Sequence, residues 1–277
     1  MKKTPVALIT GATSGIGEAT AYRLQSRGYT VFAVGRNREA LNILQSRGLQ
    51  ARPLDITDEK AVAELVEEID THFGGVDVLV NNAGLGLSSP LEQVPLTGLR
   101  QIFETNVVAM LHLSQAVLPG MRKRRAGTII NVGSTAGRWP SPCVGAYHIT
   151  KYSVAALSQV LRAEVQQFGL RVVLIEPTGV RDTGFIDAQF PAATPDGEHD
   201  AYEKLKHNYA ETTRALAENR FVTVEAEAVA RAVVRAIEAR NPRPRYIIGA
   251  SGKASVLLRL LLTDRMWDRI MLKSLKV

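Results

Sequence analysis

Cysteine, long apolar runs and any N-terminal targeting pattern are scarce or missing. Cys143 is the single cysteine among 277 residues, so an internal disulfide is excluded. No stretch of about 18 or more apolar residues is present, so the sequence does not predict a spanning helix. The opening MKKTPVALITG reaches a glycine turn too soon for a secretory signal. These absences predict a cytoplasmic protein.

The charge is positive but lacks a dense basic patch. Lys and Arg number 34 against 27 Asp and Glu, which gives a formal net charge of +7. The one tight run, RKRR at residues 122–125, follows an apolar helical stretch. Cations there complement the dipole at a helix C-terminus and remain in water. The pattern therefore argues against nucleic acid as a partner.

Short apolar runs alternate with amphipathic helical patterns. Seven buried strands are predicted, and strands that alternate with helices pair in parallel with helices on both faces. No linker divides the chain, so we predict one Rossmann-type α/β domain over residues 1–277, built on a doubly wound parallel sheet. Two segments depart from the alternation: 183–220, an insertion beside the substrate, and 250–277, an amphipathic helical tail. The predicted strands cover residues 6–10, 30–35, a run ending at Asp55, 76–84, 127–134, 170–177 and 245–249.

A glycine-rich turn, TGATSGIG, follows the first predicted strand. Glycine permits a tight turn and a close backbone approach, and the next helix N-terminus attracts an anion such as a pyrophosphate. After the second strand the sequence has Gly35 and Arg36 where an acidic residue would bind a ribose 2′-OH. Because a guanidinium matches a phosphate, NADP(H) is predicted in preference to NAD(H).

Several further motifs occur in a fixed order. They are LDITD with Asp55, NNAG at residues 81–84, ETNVVA with Asn106, INVGSTAG with Ser134, and Tyr147 four residues before Lys151. With the glycine turn, these motifs resemble the short-chain dehydrogenase/reductase superfamily over residues 5–249. The overall layout is similar to the steroid- and retinol-dehydrogenase-like branch, whose substrates are lipophilic alcohols or ketones.

The resemblance assigns catalytic roles to four residues. Tyr147 is the expected general acid/base, and Lys151 the cation that lowers its pKa toward the working pH. Ser134 is expected to bind the substrate oxygen. Asn106 is expected to hold a water that links Lys151 to solvent. His148 lies beside Tyr147 on another helix face and is given no role.

The resemblance also implies a set of cofactor contacts. The sequence EPTGVRDTGF departs from the usual family spacing by one residue, which affects the nicotinamide contacts. No metal ligand set is predicted. The expected contacts are Gly11, Thr13, Ser14, Gly15, Ile16 and Gly17 at the phosphates, Arg36 at the 2′-phosphate, Asp55 and Ile56 at adenine, Asn82, Ala83 and Gly84 at ribose, Tyr147 and Lys151 at the nicotinamide ribose, and Pro177, Gly179 and Thr183 at the nicotinamide.

The function predicted from these residues is an NADP(H)-dependent oxidoreductase that interconverts a secondary alcohol and a ketone, with a lipophilic small molecule as substrate. Two alternatives stay open: a 3-oxoacyl carrier-protein reductase, and a non-catalytic NADP-binding regulator. The tail is typical of a helix on a membrane surface, or of one that caps the pocket or packs on the domain or a partner subunit. The family resemblance implies a homodimer or homotetramer paired through two long helices. The candidate substrate wall is Leu85, Leu87, Trp139, Pro140, Cys143, Val144, Phe185 and Phe190, with Cys143 as a packed residue rather than a nucleophile.

Overall fold

A seven-stranded parallel sheet forms the centre of the protein. The computed structural model describes residues 4–181 and 200–276. The strand order is β3-β2-β1-β4-β5-β6-β9, and every neighbouring pair is parallel. The direction of winding reverses between β1 and β4, where open α/β sheets bind their ligands. The strands are β1 (Val6–Thr10), β2 (Thr30–Gly35), β3 (Gln50–Pro53), β4 (Val78–Asn81), β5 (Thr128–Val132), β6 (Arg171–Pro177) and β9 (Arg245–Ile248); β7 (Val180–Arg181) and β8 (Val224–Glu225) form a separate parallel pair.

Helices cover both faces of the sheet. Buried residues of β1 contribute to two separate apolar clusters, with Ala7 and Ile9 in one and Leu8 in the other. This explains why residues 6–9 of the strand are all apolar rather than alternating with polar residues, and it confirms the doubly wound prediction. The helices are α1 (Gly15–Gln25), α2 (Arg38–Ser46), α3 (Glu59–Phe73), α4 (Leu96–Phe103), α5 (Ala109–Arg124), α6 (Gly145–Val165), α7 (Glu203–Glu218), α8 (Ala226–Glu238), α9 (Ala250–Leu261) and α10 (Asp264–Ser274).

A buried polar network joins the two central strands to two helices. Asn81 Nδ2 donates to Asn131 Oδ1 at 2.9 Å and to Ser114 Oγ on α5 at 3.2 Å. Asn131 Nδ2 donates in turn to Ser158 Oγ on α6 at 2.9 Å. These bonds fix the register of α5 and α6 against the carboxyl ends of β4 and β5, where the predicted site lies.

The helical pattern at 96–121 is not one regular helix. A π-helical turn, Glu104–Val108, separates α4 from α5 and contains Asn106. Such turns insert one residue into a helix and occur often at functional sites. The inserted residue leaves no compositional trace, so the pattern predicted the helix but not its interruption.

The tail is two helices rather than one. The chain breaks after α9, and Thr263 caps α10 by accepting a hydrogen bond from Met266 N–H at 3.4 Å. Trp267 is buried against the protein body, whereas Leu260 and Leu261 are exposed. Within 4–181 and 200–276, no helix is both long and apolar enough to cross a bilayer.

Candidate active site

The glycine turn is held closely against the end of β4. Gly11 and Gly15 have positive φ angles of 61° and 55°. A Cβ on Gly17 would lie 2.3 Å from the carbonyl oxygen of Gly11, so a larger residue does not fit. Asn82 Nδ2 donates to the carbonyls of Thr10 at 3.0 Å and Gly11 at 3.1 Å. The Asn82 side chain therefore supports the turn from below, and its predicted ribose contact remains a prediction.

The first turn of α1 suits an anionic group. Ser14 precedes the helix, is exposed, and does not cap it with its side chain. Thr13 lies over the end of β2, where a Cβ on Gly35 would come within 2.7 Å of Thr13 Cγ2. A narrow glycine cradle at a helix N-terminus fits the pyrophosphate of a dinucleotide. Ala12 and Gly17 are buried, and Ile16 is partly buried behind the turn.

Arg36 and Asp55 meet beyond β2 and β3. Both are exposed. Asp55 Oδ1 accepts hydrogen bonds from Thr57 N at 3.0 Å and Thr57 Oγ1 at 2.8 Å. The backbone bond from Thr57 is the largest cause that lowers the pKa of Asp55, and Arg36 adds a smaller lowering effect. A guanidinium at the strand end, close to a carboxylate already bound by Thr57, suits a phosphate ligand. Ile56 is buried beside them.

Ser134, Tyr147 and Lys151 come together at the carboxyl end of β5. Ser134 makes a side-chain hydrogen bond with Tyr147, and its Oγ accepts from Ala136 N at 3.1 Å. Lys151 Nζ lies 5.5 Å from the centre of the Tyr147 ring and donates to Val132 O at 3.2 Å. The four-residue spacing on α6 thus places phenol and ammonium on one face beside the serine, as the sequence predicted.

Burial has the largest effect on the pKa values of Tyr147 and Lys151. It raises the pKa of Tyr147, and the Ser134 hydrogen bond opposes that effect. It also lowers the pKa of Lys151 to about 8. With its pKa raised by burial, the phenol stays protonated at neutral pH in the protein alone. The lowering of this pKa by Lys151 remains a prediction.

Asn106 ties the π-helical turn to its surroundings. It is fully buried, accepts from Leu85 N at 2.8 Å, and donates to Leu85 O and Thr150 Oγ1, each at 3.0 Å. These bonds use both amide hydrogens, so the side chain has a structural function. A Cβ on Gly84 would lie 3.2 Å from Asn106 Oδ1 and 3.8 Å from Lys151 Nζ. The predicted proton relay through Asn106 remains a prediction.

The nicotinamide side is partly described. Pro177 ends β6, and a Cβ on Gly179 would approach Thr223 Cγ2 at 3.2 Å, so this segment packs against the residues before β8. Thr183 lies outside the described residues, as do Phe185 and Phe190.

Part of the predicted apolar substrate wall belongs to the hydrophobic core. Leu85 and Leu87 are buried in a small cluster that includes Ala146 and the partly buried Tyr147. Cys143 is buried and has a positive φ of 65°. Burial raises the pKa of its thiol to about 11, so the thiol is protonated at neutral pH. This agrees with the prediction that it packs rather than acts as a nucleophile. Trp139 and Val144 are partly buried, and Pro140 is exposed.

Tyr209 was not identified from the sequence. It projects from α7, is partly buried, and its hydroxyl hydrogen-bonds with Ser88 and Thr213. It lies near enough to Tyr147 for the two phenols to interact electrostatically. α7 contains no fully buried residue, and a polar contact attaches it to the segment after β4: Lys206 Nζ donates to Gln93 Oε1 at 3.0 Å. Tyr209 lies in the predicted insertion, outside the motifs, so no sequence pattern singled it out.

Two polar clusters support the loop between Ser134 and Tyr147. Arg138 donates to Glu176 through Nε (2.7 Å to Oε1) and Nη2 (2.8 Å to Oε2), and the Glu176 carboxylate is fully buried. Trp267 Nε1 donates to Pro140 O at 3.0 Å. His148 is buried and hydrogen-bonded to the same loop, a contact that its position on the helix did not predict.

Comparisons with known proteins agree with this geometry. The family model for short chain dehydrogenases matches residues 5–193. The NADPH-dependent 3-dehydrocapnine reductase of Ornithobacterium rhinotracheale is 33% identical over 279 residues, covering 98% of this chain and 97% of the relative. The NADP-dependent 3-hydroxy acid dehydrogenase YdfG of Escherichia coli (strain K12) is 36% identical over 189 residues, covering 67% and 76%. A short-chain dehydrogenase structure from Streptomyces avermitilis superposes with a TM-score of 0.80 at 30% identity, covering 100% and 97%. The chain therefore belongs to the short-chain dehydrogenase family.

Proposed function

We propose that this short-chain dehydrogenase uses NADPH to reduce a ketone to a secondary alcohol, with Tyr147 as the proton donor. The observation that carries the proposal is the Ser134–Tyr147–Lys151 group at the carboxyl end of β5. Relatives that align with this chain are named as NADP(H)-dependent reductases and dehydrogenases, which supports the predicted cofactor. The exposed guanidinium of Arg36 supports it independently.

The cofactor would be held along the edge already described. The glycine cradle at 11–17 fits the pyrophosphate, Arg36 the 2′-phosphate, and Lys151 the ribose hydroxyls beside Tyr147. When bound, NADPH supplies the hydride for the carbonyl carbon. The residues of the chain supply the proton and the orientation.

Proton transfer follows from the protonation of the site. Ser134 and Tyr147 hydrogen-bond the carbonyl oxygen, and Tyr147 transfers its phenolic proton to that oxygen as negative charge develops. The phenolate left behind is stabilised by the Lys151 ammonium 5.5 Å from its ring. Because burial raises the pKa of Tyr147, the phenol carries its proton at neutral pH, as the reductive direction requires. The alkoxide that develops on the substrate is the stronger base and draws this proton from the phenol.

The substrate is proposed to be lipophilic. The proposal is supported by Leu85 and Leu87, which are buried beside Tyr147, by Trp139 on the neighbouring loop, and by Tyr209 as a polar group from α7. Pockets of this kind are mostly apolar with a few polar groups that orient the ligand. A likeness to the steroid- and retinol-dehydrogenase-like branch stays a prediction.

Assembly and location stay predictions as well. A homodimer or homotetramer is supported by exposed apolar side chains on α5 and α6, such as Leu111, Ile149 and Val160. We propose a cytoplasmic location, and the exposed leucines of α9 would suit peripheral contact with a membrane.

The test is NADPH oxidation by the purified protein with a panel of apolar ketones, small 3-oxo acids and a 3-oxoacyl carrier protein. We expect turnover of an apolar ketone, and Tyr147→Phe to abolish it while NADPH binding, measured by fluorescence titration, persists. Turnover of the carrier-protein substrate alone would favour the carrier-protein reductase. NADPH binding without any turnover would favour the regulatory alternative. Activity retained in Tyr147→Phe would refute Tyr147 as the proton donor.

A further inference from the structure

The side chain of His148 lies against the loop that connects Ser134 to Tyr147. This side chain is buried at the start of α6. Nδ1 lies 2.7 Å from Ala136 O, and Nε2 accepts the Ser141 backbone N–H at 3.0 Å. Because a backbone N–H only donates, Nε2 carries no proton, and Nδ1–H donates to Ala136 O. The two bonds require the neutral imidazole in one tautomer.

The same residues connect His148 to Ser134. Ala136 accepts from His148 through its carbonyl and donates to Ser134 Oγ through its N–H at 3.1 Å. Ser134 hydrogen-bonds Tyr147, which precedes His148 on α6. The contacts form a closed ring, so a shift of the imidazole moves Ala136 and with it the hydroxyl that orients the substrate.

Other contacts hold this loop from outside. Trp267 binds Pro140 O, and the Trp139 ring centre lies 5.6 Å from that of Trp267 and 6.1 Å from that of His148. Ser89 N donates to Cys143 O at 2.6 Å. With the Arg138–Glu176 pair, these bonds fix the middle and end of the loop, and Gly137 N donates to Ser134 O at 3.0 Å at its start. The side-chain contact to the Ala136 carbonyl comes from His148.

We propose that His148 is a positioning residue that holds Ser134 against Tyr147 through Ala136. The inference rests on the proposed function, because it concerns the same pair of hydroxyls. His148 touches neither substrate nor cofactor in this role. Its effect is to keep Ser134 Oγ where the carbonyl oxygen binds.

Protonation of the imidazole would break this closed set of contacts. A proton on Nε2 faces the Ser141 N–H, and that bond is lost. The groups around the ring are neutral, namely the Ala136 carbonyl, the Ser141 amide and hydroxyl, and the Trp139 indole. Burial lowers the pKa of His148, with the Ala136 bond opposing it. Activity that depends on His148 is therefore retained above this lowered pKa and falls as the pH drops through it.

The experiment compares His148→Phe, which keeps a ring but no polar atom, with His148→Asn, whose amide can replace the donor to Ala136. His72, exposed in the last turn of α3, provides the control His72→Phe. We expect His148→Phe to lower kcat for the best ketone about ten-fold or more with NADPH binding unchanged. His148→Asn should recover most of kcat and lack the fall of the wild-type rate at acidic pH.

Wild-type kcat in His148→Phe, equal losses in both variants, or an acid limb that persists in His148→Asn would overturn the proposal. If His148→Phe does not fold, the His148→Asn rate and pH profile decide. Hydrogen exchange of residues 134–144 gives a readout that does not depend on turnover. It should rise in His148→Phe and not in His72→Phe, and unchanged exchange would overturn the positioning role even if the proposed reaction were wrong.

Discussion

Removal of the Glu176 carboxylate tests what holds the loop above the site. In Glu176→Ala the guanidinium of Arg138 loses both hydrogen bonds, and Arg245, whose Nη1 lies 3.7 Å from Oε1, loses its counter-charge. Removing one partner of a buried ion pair costs about 3–5 kcal/mol. The side chains of Arg138 and Arg245 are 27% and 24% exposed, so water can partly hydrate them. We therefore expect the lower end of that range, about 3 kcal/mol.

The assays are urea unfolding, which gives the free energy, and thermal unfolding, which gives Tm, both at pH 7 and followed by circular dichroism. A loss of about 3 kcal/mol corresponds to a fall in Tm of about 6 °C for a chain of this size. Glu176→Gln keeps the packing and one acceptor and should lie between the wild type and Glu176→Ala. The matched control is Glu225→Ala, because the Arg181–Glu225 pair is exposed at the carboxylate and should contribute only about 0–1 kcal/mol. A Glu176→Ala protein as stable as the control would refute the reasoning.

Two further substitutions test the cofactor edge and the buried amine. Arg36→Ala should raise the Kd for NADPH about ten-fold or more and leave that for NADH unchanged, with Arg47→Ala as control; equal effects on both nucleotides would exclude the phosphate contact. Lys151→Met should abolish turnover yet stabilise the fold at neutral pH, because burial lowers the pKa of Lys151 to about 8. Since the unfolded chain binds the proton up to about pH 10.4, the wild type should gain stability relative to Lys151→Met between about pH 8 and 10.4 in urea unfolding; a constant difference would contradict this.

The sheet and the catalytic group were predictable because their signals are local. β1 is buried at every position and apolar over residues 6–9, because both of its faces are covered. Gly17 is needed because no Cβ fits against Gly11. Tyr147 and Lys151 share a helix face by their spacing alone. Family membership is confirmed, and the relatives named as NADP(H)-dependent agree with the preference inferred from Arg36.

The contacts that support the site could not be predicted, because they join residues that are far apart in sequence. His148 bonds to Ala136 across a loop, Glu176 meets Arg138 across 38 positions, and Trp267 reaches Pro140 across 127. No periodicity reports such pairs. The raised pKa of Tyr147 could not be predicted from the sequence either, because the sequence shows Lys151 nearby but not how deeply the phenol is buried.

Because polar groups attach α7, this helix should open more easily than the central sheet. The helix is held by polar bonds such as Lys206–Gln93 and Tyr209–Ser88, and none of its residues is fully buried. Segments with few buried apolar contacts open at a small fraction of the global unfolding cost. We therefore expect α7 to open and close over Tyr147 while the sheet and the glycine turn keep their structure. The substrate could then enter without disturbing the bound cofactor.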